Sequence, residues 1–123
     1  MEFTVSTDAE RDVVDITDRV ADAVTADTGT VTVFAEHTTA GVVVNEAEPR
    51  LLDDMEAFLG TLVPDEGWAH DELDGNADAH LRSLVLGASE TIPVENGSLA
   101  LGRWQSVLLV ECDGPRERTV WVG

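Results

Sequence analysis

The chain carries three histidines, His37, His70 and His80, and neither lysine nor tyrosine. Imidazole changes charge near neutral pH and is the commonest metal ligand. Each histidine sits among small or polar residues. His37 precedes the hydroxyl-rich stretch Thr38-Thr39-Ala40-Gly41, and His70 lies in an acidic segment. His80 follows Asn76 by four residues, so the two project from one face of a helix. Three imidazoles drawn from separate segments can hold one divalent ion and leave a coordination position open, as catalytic zinc sites do. The competing reading keeps them apart, with His70 in solvent and His80 a core residue with its own hydrogen-bond partner. No His-x-x-x-His pair decides between the two.

Other groups join this set. Glu46, beside Asn45, suits a general base or a metal ligand, or is a solvated charge at a strand end. Thr38 and Thr39 offer hydroxyls to a phosphate, and backbone N–H groups up to Gly41 can do the same; otherwise this is an ordinary turn. Arg116 and Arg118 follow the turn Asp113-Gly114-Pro115, and their forked guanidinium groups match phosphate geometry. Pairing with surface carboxylates is the alternative. Trp104 reads as a core or interface residue, and Cys112 as a small buried apolar group.

The elements that must position these groups follow from periodicity. Residues 2–6 alternate as a strand, and Asp15 to Asp18 offer caps for a short helix ending near 27–29. Residues 30–36 are β-branched and strand-like, the His37 loop interrupts them, and 42–44 resume the pattern. Pro49 opens a helix with Leu51, Leu52, Met55, Phe58, Leu59 and Leu62 at helical spacing, and Pro64 stops it. An acidic loop over 65–75 carries Trp68 and His70. Asn76 is placed to cap a helix through Leu86, and Gly87 to end it. Strands over 91–94 and 98–101 flank the hairpin signal Asn96-Gly97. Residues 105–111 form a near-continuous apolar run, and 118–122 alternate to the end. This order predicts an α+β fold: a single-domain sandwich over 1–123, its mostly antiparallel sheet covered by helices.

The charge is extreme, 25 Asp plus Glu against seven basic residues, all arginine, for a net −18. Such a surface repels nucleic acid and anionic membranes, so neither is expected as a partner. Adaptation to molar salt fits best, because a Debye length of roughly 3 Å at 1 M screens the self-repulsion. No apolar run approaches the ~20 residues of a membrane span. The start lacks signal-peptide character and Cys112 stands alone, so the expected location is cytoplasmic.

Taken together, five blocks resemble the YjbQ family, also described as secondary thiamine-phosphate synthases. They are Asp15-Ile16-Thr17; His37-Thr38-Thr39-Ala40-Gly41 with Asn45-Glu46; His70 with Gly75-Asn76-Ala77-Asp78-Ala79-His80-Leu81; Leu101-Gly102-Arg103-Trp104-Gln105; and Asp113-Gly114-Pro115-Arg116-Glu117-Arg118. They run in the family's order over nearly the whole chain. Val43 stands where family members commonly carry a hydroxyl residue, and Arg82 where they often carry lysine. The resemblance implies a homotrimer with its site near a subunit boundary. It also implies a transferase that joins a hydroxymethylpyrimidine pyrophosphate to a thiazole phosphate and releases pyrophosphate. A divalent metal, Mg²⁺ or Zn²⁺, and arginines would stabilise that leaving group. In this reading His37, His70 and His80 bind the metal, and Glu46, Asn45 and His80 are catalytic. Thr38, Thr39, Asn76, Arg116 and Arg118 meet the small phosphorylated metabolite. The alternatives are a metal-dependent hydrolase of a small phosphate ester, or a non-enzymatic trimer that binds a metabolite or metal.

Overall fold

The structure, a computed structural model, describes residues 1–123. In chain order it comprises β1 (Glu2–Ser6), β2 (Asp12–Asp15), α1 (Thr17–Asp22), β3 (Thr28–Ala35), β4 (Ala40–Asn45), α2 (Pro49–Leu62), a 3-10 turn (Ala69–Glu72), α3 (Ala77–Leu86), β5 (Ser89–Glu95), β6 (Ser98–Leu99), β7 (Ser106–Glu111) and β8 (Glu117–Val122). The strands form two antiparallel sheets, ordered β1-β8-β3-β5-β6 and β2-β7-β4. The fold is α+β.

β7 shows how the sequence produces the layers. Val107 and Leu109 enter the core between the two sheets, while Leu108, Val110 and the following Cys112 face the other way. There they meet Leu59 of α2 and Ala79 of α3. A strand covered on both faces reads as a continuous apolar run. The order of layers is therefore five-stranded sheet, three-stranded sheet, then α2 and α3, while α1 buries Val20 in the inter-sheet core. β1 and β8 are covered on one face only, so they alternate: Phe3 and Val5, then Arg118, Val120 and Val122, point inward.

Two close approaches shape the site end of the molecule. A Cβ on Gly41 would lie 2.7 Å from the Gly87 carbonyl oxygen and 2.8 Å from Leu86 Cβ, so only glycine lets α3 end against β4. Ser83 Oγ donates to the Ala40 carbonyl at 2.7 Å and reinforces that seam. A Cβ on Gly114 would likewise meet Glu111 Cγ at 2.8 Å and Thr7 Oγ1 at 2.9 Å.

The structure departs from the sequence expectations in three places. Asp12–Asp15 is a strand, β2, paired with β7. Its two apolar residues between acids are too few to show a period. α1 stops at Asp22, well before 27–29. Asn76 does not cap α3 with its side chain. Instead Asp71 Oδ1 accepts from the Ala77 N–H at 3.1 Å, and its Oδ2 accepts from the Trp68 N–H at 3.2 Å. Asp71 thus organises the loop, and the Asn76 side chain is released toward Asp113, its Nδ2 donating to Oδ2 at 2.9 Å.

Candidate functional site

The site begins with a polar cluster buried where the two sheets meet. Glu111 and Arg118 are 0% and 1% exposed and pair between β7 and β8. Residues 107 and 109 of β7 and 120 and 122 of β8 point into the inter-sheet core, and these two charges continue the same phase. A charge so buried needs a full set of partners. Glu111 Oε1 accepts from Arg118 Nε at 2.8 Å and from Thr7 Oγ1 at 2.7 Å, and Oε2 accepts from the Asp113 N–H at 3.0 Å. Burial pushes the Glu111 carboxyl up, but these donors outweigh it and hold it below its ordinary value. Arg118 Nη2 donates onward to Thr39 Oγ1 at 2.8 Å and to the Thr39 carbonyl at 3.1 Å. The ion pair therefore fixes the loop that carries His37.

His37 is pinned from the other side. The Thr119 N–H donates to His37 Nε2 at 2.7 Å. An imidazole nitrogen that accepts carries no proton, so the neutral ring holds its hydrogen on Nδ1. Burial lowers the His37 pKa, and the nearby Arg118 charge lowers it further, against a smaller opposing pull from Glu111. His37 is a neutral hydrogen-bond donor at neutral pH.

Over this floor opens a polar cleft of about 390 Å³. His37, Thr38, Thr39, Asn76, His80, Arg116 and Arg118 line it, with the carboxylates Glu36, Asp74 and Asp113. Arg116 is half-exposed; its Nε donates to the Asp113 carbonyl at 2.8 Å and its Nη2 to Asp113 Oδ2 at 3.0 Å. Beside the cleft lies a second, apolar hollow of about 360 Å³, lined by Trp68, Ala69, His70, Ala77, His80 and Leu81. His80 borders both. Its ring meets that of His70 edge to face, with centroids 4.9 Å apart and planes at 84°. Two buried polar atoms here lack partners, His70 Nε2 and Asn76 Oδ1. The Asp74 carboxylate stands 3.5 Å from that nitrogen, too far for a hydrogen bond.

Most of the sequence-predicted residues meet here, with three corrections. First, the three histidines do not converge as a ligand set: no three His, Cys, Asp or Glu side chains are grouped to hold a metal ion. His37 Nε2 is already occupied by Thr119, and His70 pairs with His80 through ring packing. The donor set of one protomer does not fit a resident metal. Second, Asn45 and Glu46 are remote. They lie at the far end of β4, about 17 Å from its start by the ~3.3 Å rise per residue. Glu46 instead lines another hollow with Asp15, Glu48, Arg103 and Trp104. Third, Arg118 is bound to Glu111 and Thr39, so it forms the floor and Arg116 is the exposed cation. Val43 packs against the helix-side core, away from the cleft.

Sequence reasoning missed Glu111, Asp113, Asp71 and Arg82. Glu111 was visible as one charge ending an apolar run. Arg82 is fully buried. It donates to the carbonyls of Leu59 and Val63, both at 2.7 Å, and to Asp65 at 2.8 Å, and it pairs with Asp78. It locks α2 and the following loop onto α3, which carries His80. Cys112 is buried, and burial raises its thiol to about 11, so it supplies no thiolate nucleophile.

Two antiparallel sheets under a helical layer, with a histidine-arginine cleft at one end, define a class of small α+β proteins. The family model for UPF0047 protein YjbQ-like matches residues 1–123. A UPF0047 protein of Archaeoglobus fulgidus is 49% identical over 99% of this chain and 98% of its own. The YugU protein of Bacillus subtilis is 36% identical over 96% and 92%. Among solved structures, a hypothetical protein of Aeropyrum pernix superposes with a TM-score of 0.96 at 46% identity, covering 100% of this chain and 95% of that one. An uncharacterised YjbQ/UPF0047 protein of Clostridium acetobutylicum gives 0.94 at 38%, covering 100% and 98%. The chain belongs to the YjbQ (UPF0047) family.

Proposed function

We propose that the chain is a transferase of the thiamine-phosphate-synthase type, acting on small phosphorylated substrates in the cleft between His37 and His80. One observation carries the reading: two of the seven arginines and two of the three histidines of a chain with net charge −18 line a single cleft. Glu36, Asp74 and Asp113 offset the arginine charge there, so it is the gathering of His37, His80, Thr38 and Arg116 as hydrogen-bond donors that suits a phosphate.

In the reaction, the bond between the pyrimidine methylene carbon and the diphosphate oxygen breaks, and the electron pair leaves with diphosphate. The thiazole nitrogen then bonds to that carbon. Negative charge builds on the departing oxygen, and fixed donors aimed at it lower the barrier. Arg116 is free to swing from Asp113 to the diphosphate. The Nδ1–H of His37 donates without changing charge. His80 supplies a donor or a proton on the opposite side. Thr38 adds an exposed hydroxyl. No step is assigned to a resident metal, because the donors of one protomer do not form a ligand set; an ion accompanying diphosphate would arrive with the substrate.

Assembly as a homotrimer belongs to this proposal. A protomer this small has shallow pockets, and Phe58, Leu84 and Trp104 are exposed at 61%, 76% and 64%. Exposed apolar residues of that size mark association surfaces. A cytoplasmic setting with molar salt fits the composition, and no helix is long and apolar enough to cross a membrane.

The test is turnover in molar KCl with both precursors and Mg²⁺. Pyrophosphate release that is lost in His80→Ala supports the reading; no release from folded protein contradicts it.

A further inference from the structure

The apolar hollow walled by Trp68, His80 and Leu81 and the exposed Trp104 stand as hole and knob on one chain. The hollow measures about 360 Å³, and an apolar cavity of about 150 Å³ already admits benzene, so an indole fits. Its Trp68 wall is fixed, with Nε1 donating to the Pro64 carbonyl at 2.9 Å, and offers a partner for an edge-to-face contact. Trp104 is 64% exposed, and the turn that presents it is tied down. Gln105 Oε1 accepts from the Gly102 N–H at 2.8 Å, and the Gln105 N–H donates to the Gly102 carbonyl at 3.0 Å. Hole and knob cannot meet within one protomer. Trp104 precedes β7 and the cleft lies past its end, six residues or about 20 Å away.

Charge points the same way. Of the seven arginines, only Arg19 and Arg103 pair with no carboxylate. Arg19 lies over Phe3, which is buried. Arg103 lies over Trp104, its guanidinium carbon 4.8 Å from the indole centroid. Beside the hollow stands an acid without an arginine. Asp74 is 57% exposed, lines the cleft and lies 3.5 Å from His70, which lines the hollow. A partner that fills the hollow and meets this acid needs an exposed aromatic with a cation next to it. Trp104 with Arg103 supplies that pair, so a second copy of the chain is the fitting occupant.

We infer that Trp104 of each protomer enters the Trp68 hollow of the next, and that the same neighbour's Arg103 pairs with Asp74 at the rim of the cleft. The contact is heterologous: each protomer gives one knob and receives one, and three such junctions close a trimer. The inference rests on the trimeric, phosphate-binding reading and deepens it by naming the junction and what it does to the site. Within one protomer the carboxylates of Glu36, Asp74 and Asp113 offset the cleft arginines. The neighbour's Arg103 neutralises one of them, so the cleft reaches its full phosphate affinity only on assembly. His80, which borders both hollow and cleft, is packed on its apolar side by the incoming indole.

Sedimentation in molar KCl tests the junction with two variants, Trp104→Ala without the knob and Ala69→Trp with the hollow filled. Both positions are exposed, so neither change disturbs the core. Loss of a central tryptophan weakens an interface by about thirtyfold or more. The wild type is expected as a trimer and each variant as a monomer. Mixed in equal amounts at high concentration the two give a dimer, because one intact knob then meets one intact hole. Calorimetry with pyrophosphate reads the charge pair. Arg103→Gln should lower affinity about twofold to fivefold, the contribution of one exposed ion pair, and should have no effect in an Asp74→Asn background. If Trp104→Ala fails to fold, Ala69→Trp and Arg103→Gln still read the junction. A trimer of Trp104→Ala, or a mixture that stays monomeric, overturns the inference while the phosphate site stands. A monomeric wild type that binds pyrophosphate does the same. A wild-type trimer that binds no pyrophosphate overturns the proposed function and leaves the junction.

Discussion

Glu111 on β7 and Arg118 on β8 are paired in the seam between the two sheets, and through Thr39 the same guanidinium holds the loop of His37. Fold and site share this pair. Removing one partner strands a buried charge, which costs about 3–5 kcal/mol. Glu111→Leu is therefore expected to lower stability by that amount in salt-containing denaturant titrations. The double variant with Arg118→Met should recover much of the loss. A single variant within about 1 kcal/mol of wild type would show the pair to be dispensable.

Arg116 presents the opposite case. Its contact with Asp113 is exposed, and such pairs contribute roughly 0–1 kcal/mol. Arg116→Ala should leave the melting temperature nearly unchanged and weaken pyrophosphate binding about tenfold, the loss of a charged hydrogen bond of ~1.5 kcal/mol. Unchanged affinity would remove Arg116 from the site.

Stability should also depend on pH through His37. Its folded pKa lies below the ordinary 6.5. The unfolded chain then takes up a proton first as the pH falls, so the contribution is complete above 6.5 and is lost downward through the folded value. His37→Gln keeps an acceptor for the Thr119 N–H and has no proton to gain. Stability measured from pH 7.5 to 5, roughly the histidine range, should fall more steeply for wild type than for this variant. Parallel curves would mean His37 titrates normally.

Gly41→Ala brings a methyl against the end of α3 at 2.7–2.8 Å, where the Gly87 carbonyl is backbone and cannot move alone. Overpacking of this kind costs about 1–3 kcal/mol. Because α3 carries His80 and begins directly after Asn76, phosphate affinity should fall together with stability. Loss of neither would mean that the seam is slack.

Much of this was legible in the sequence. The apolar run of 105–111, the alternation of 118–122 and the spacing from Pro49 to Leu62 each follow from burial on known faces. The histidine loop and the arginines after Gly114 were visible because such residues are rare in this chain. Other features were not. Asn76 and Asp71 both offer capping oxygens, and only the path of the loop decides that Asp71 is used. Glu46 stands nine residues from His37, and a strand between them converts that short separation into opposite ends of a sheet. A shared metal was plausible from residue types, but ligand convergence is a tertiary property: Thr119, without any sequence signal, takes the His37 nitrogen.

The charge gives one further expectation. With net −18, lowering KCl from molar to millimolar concentration lengthens the Debye length to tens of ångströms and restores the self-repulsion. Circular dichroism should show unfolding at neutral pH on dialysis into low salt, reversed by adding KCl. A fold indifferent to salt would rule out halophilic adaptation.

The most direct measurement is a crystal structure grown in molar KCl with pyrophosphate. Diphosphate should lie in the cleft within hydrogen-bond distance of Arg116 and at least one of His37 and His80, with Arg116 swung away from Asp113. Diphosphate bound at Arg103 instead, with the histidine cleft holding only solvent, would contradict the proposed chemistry.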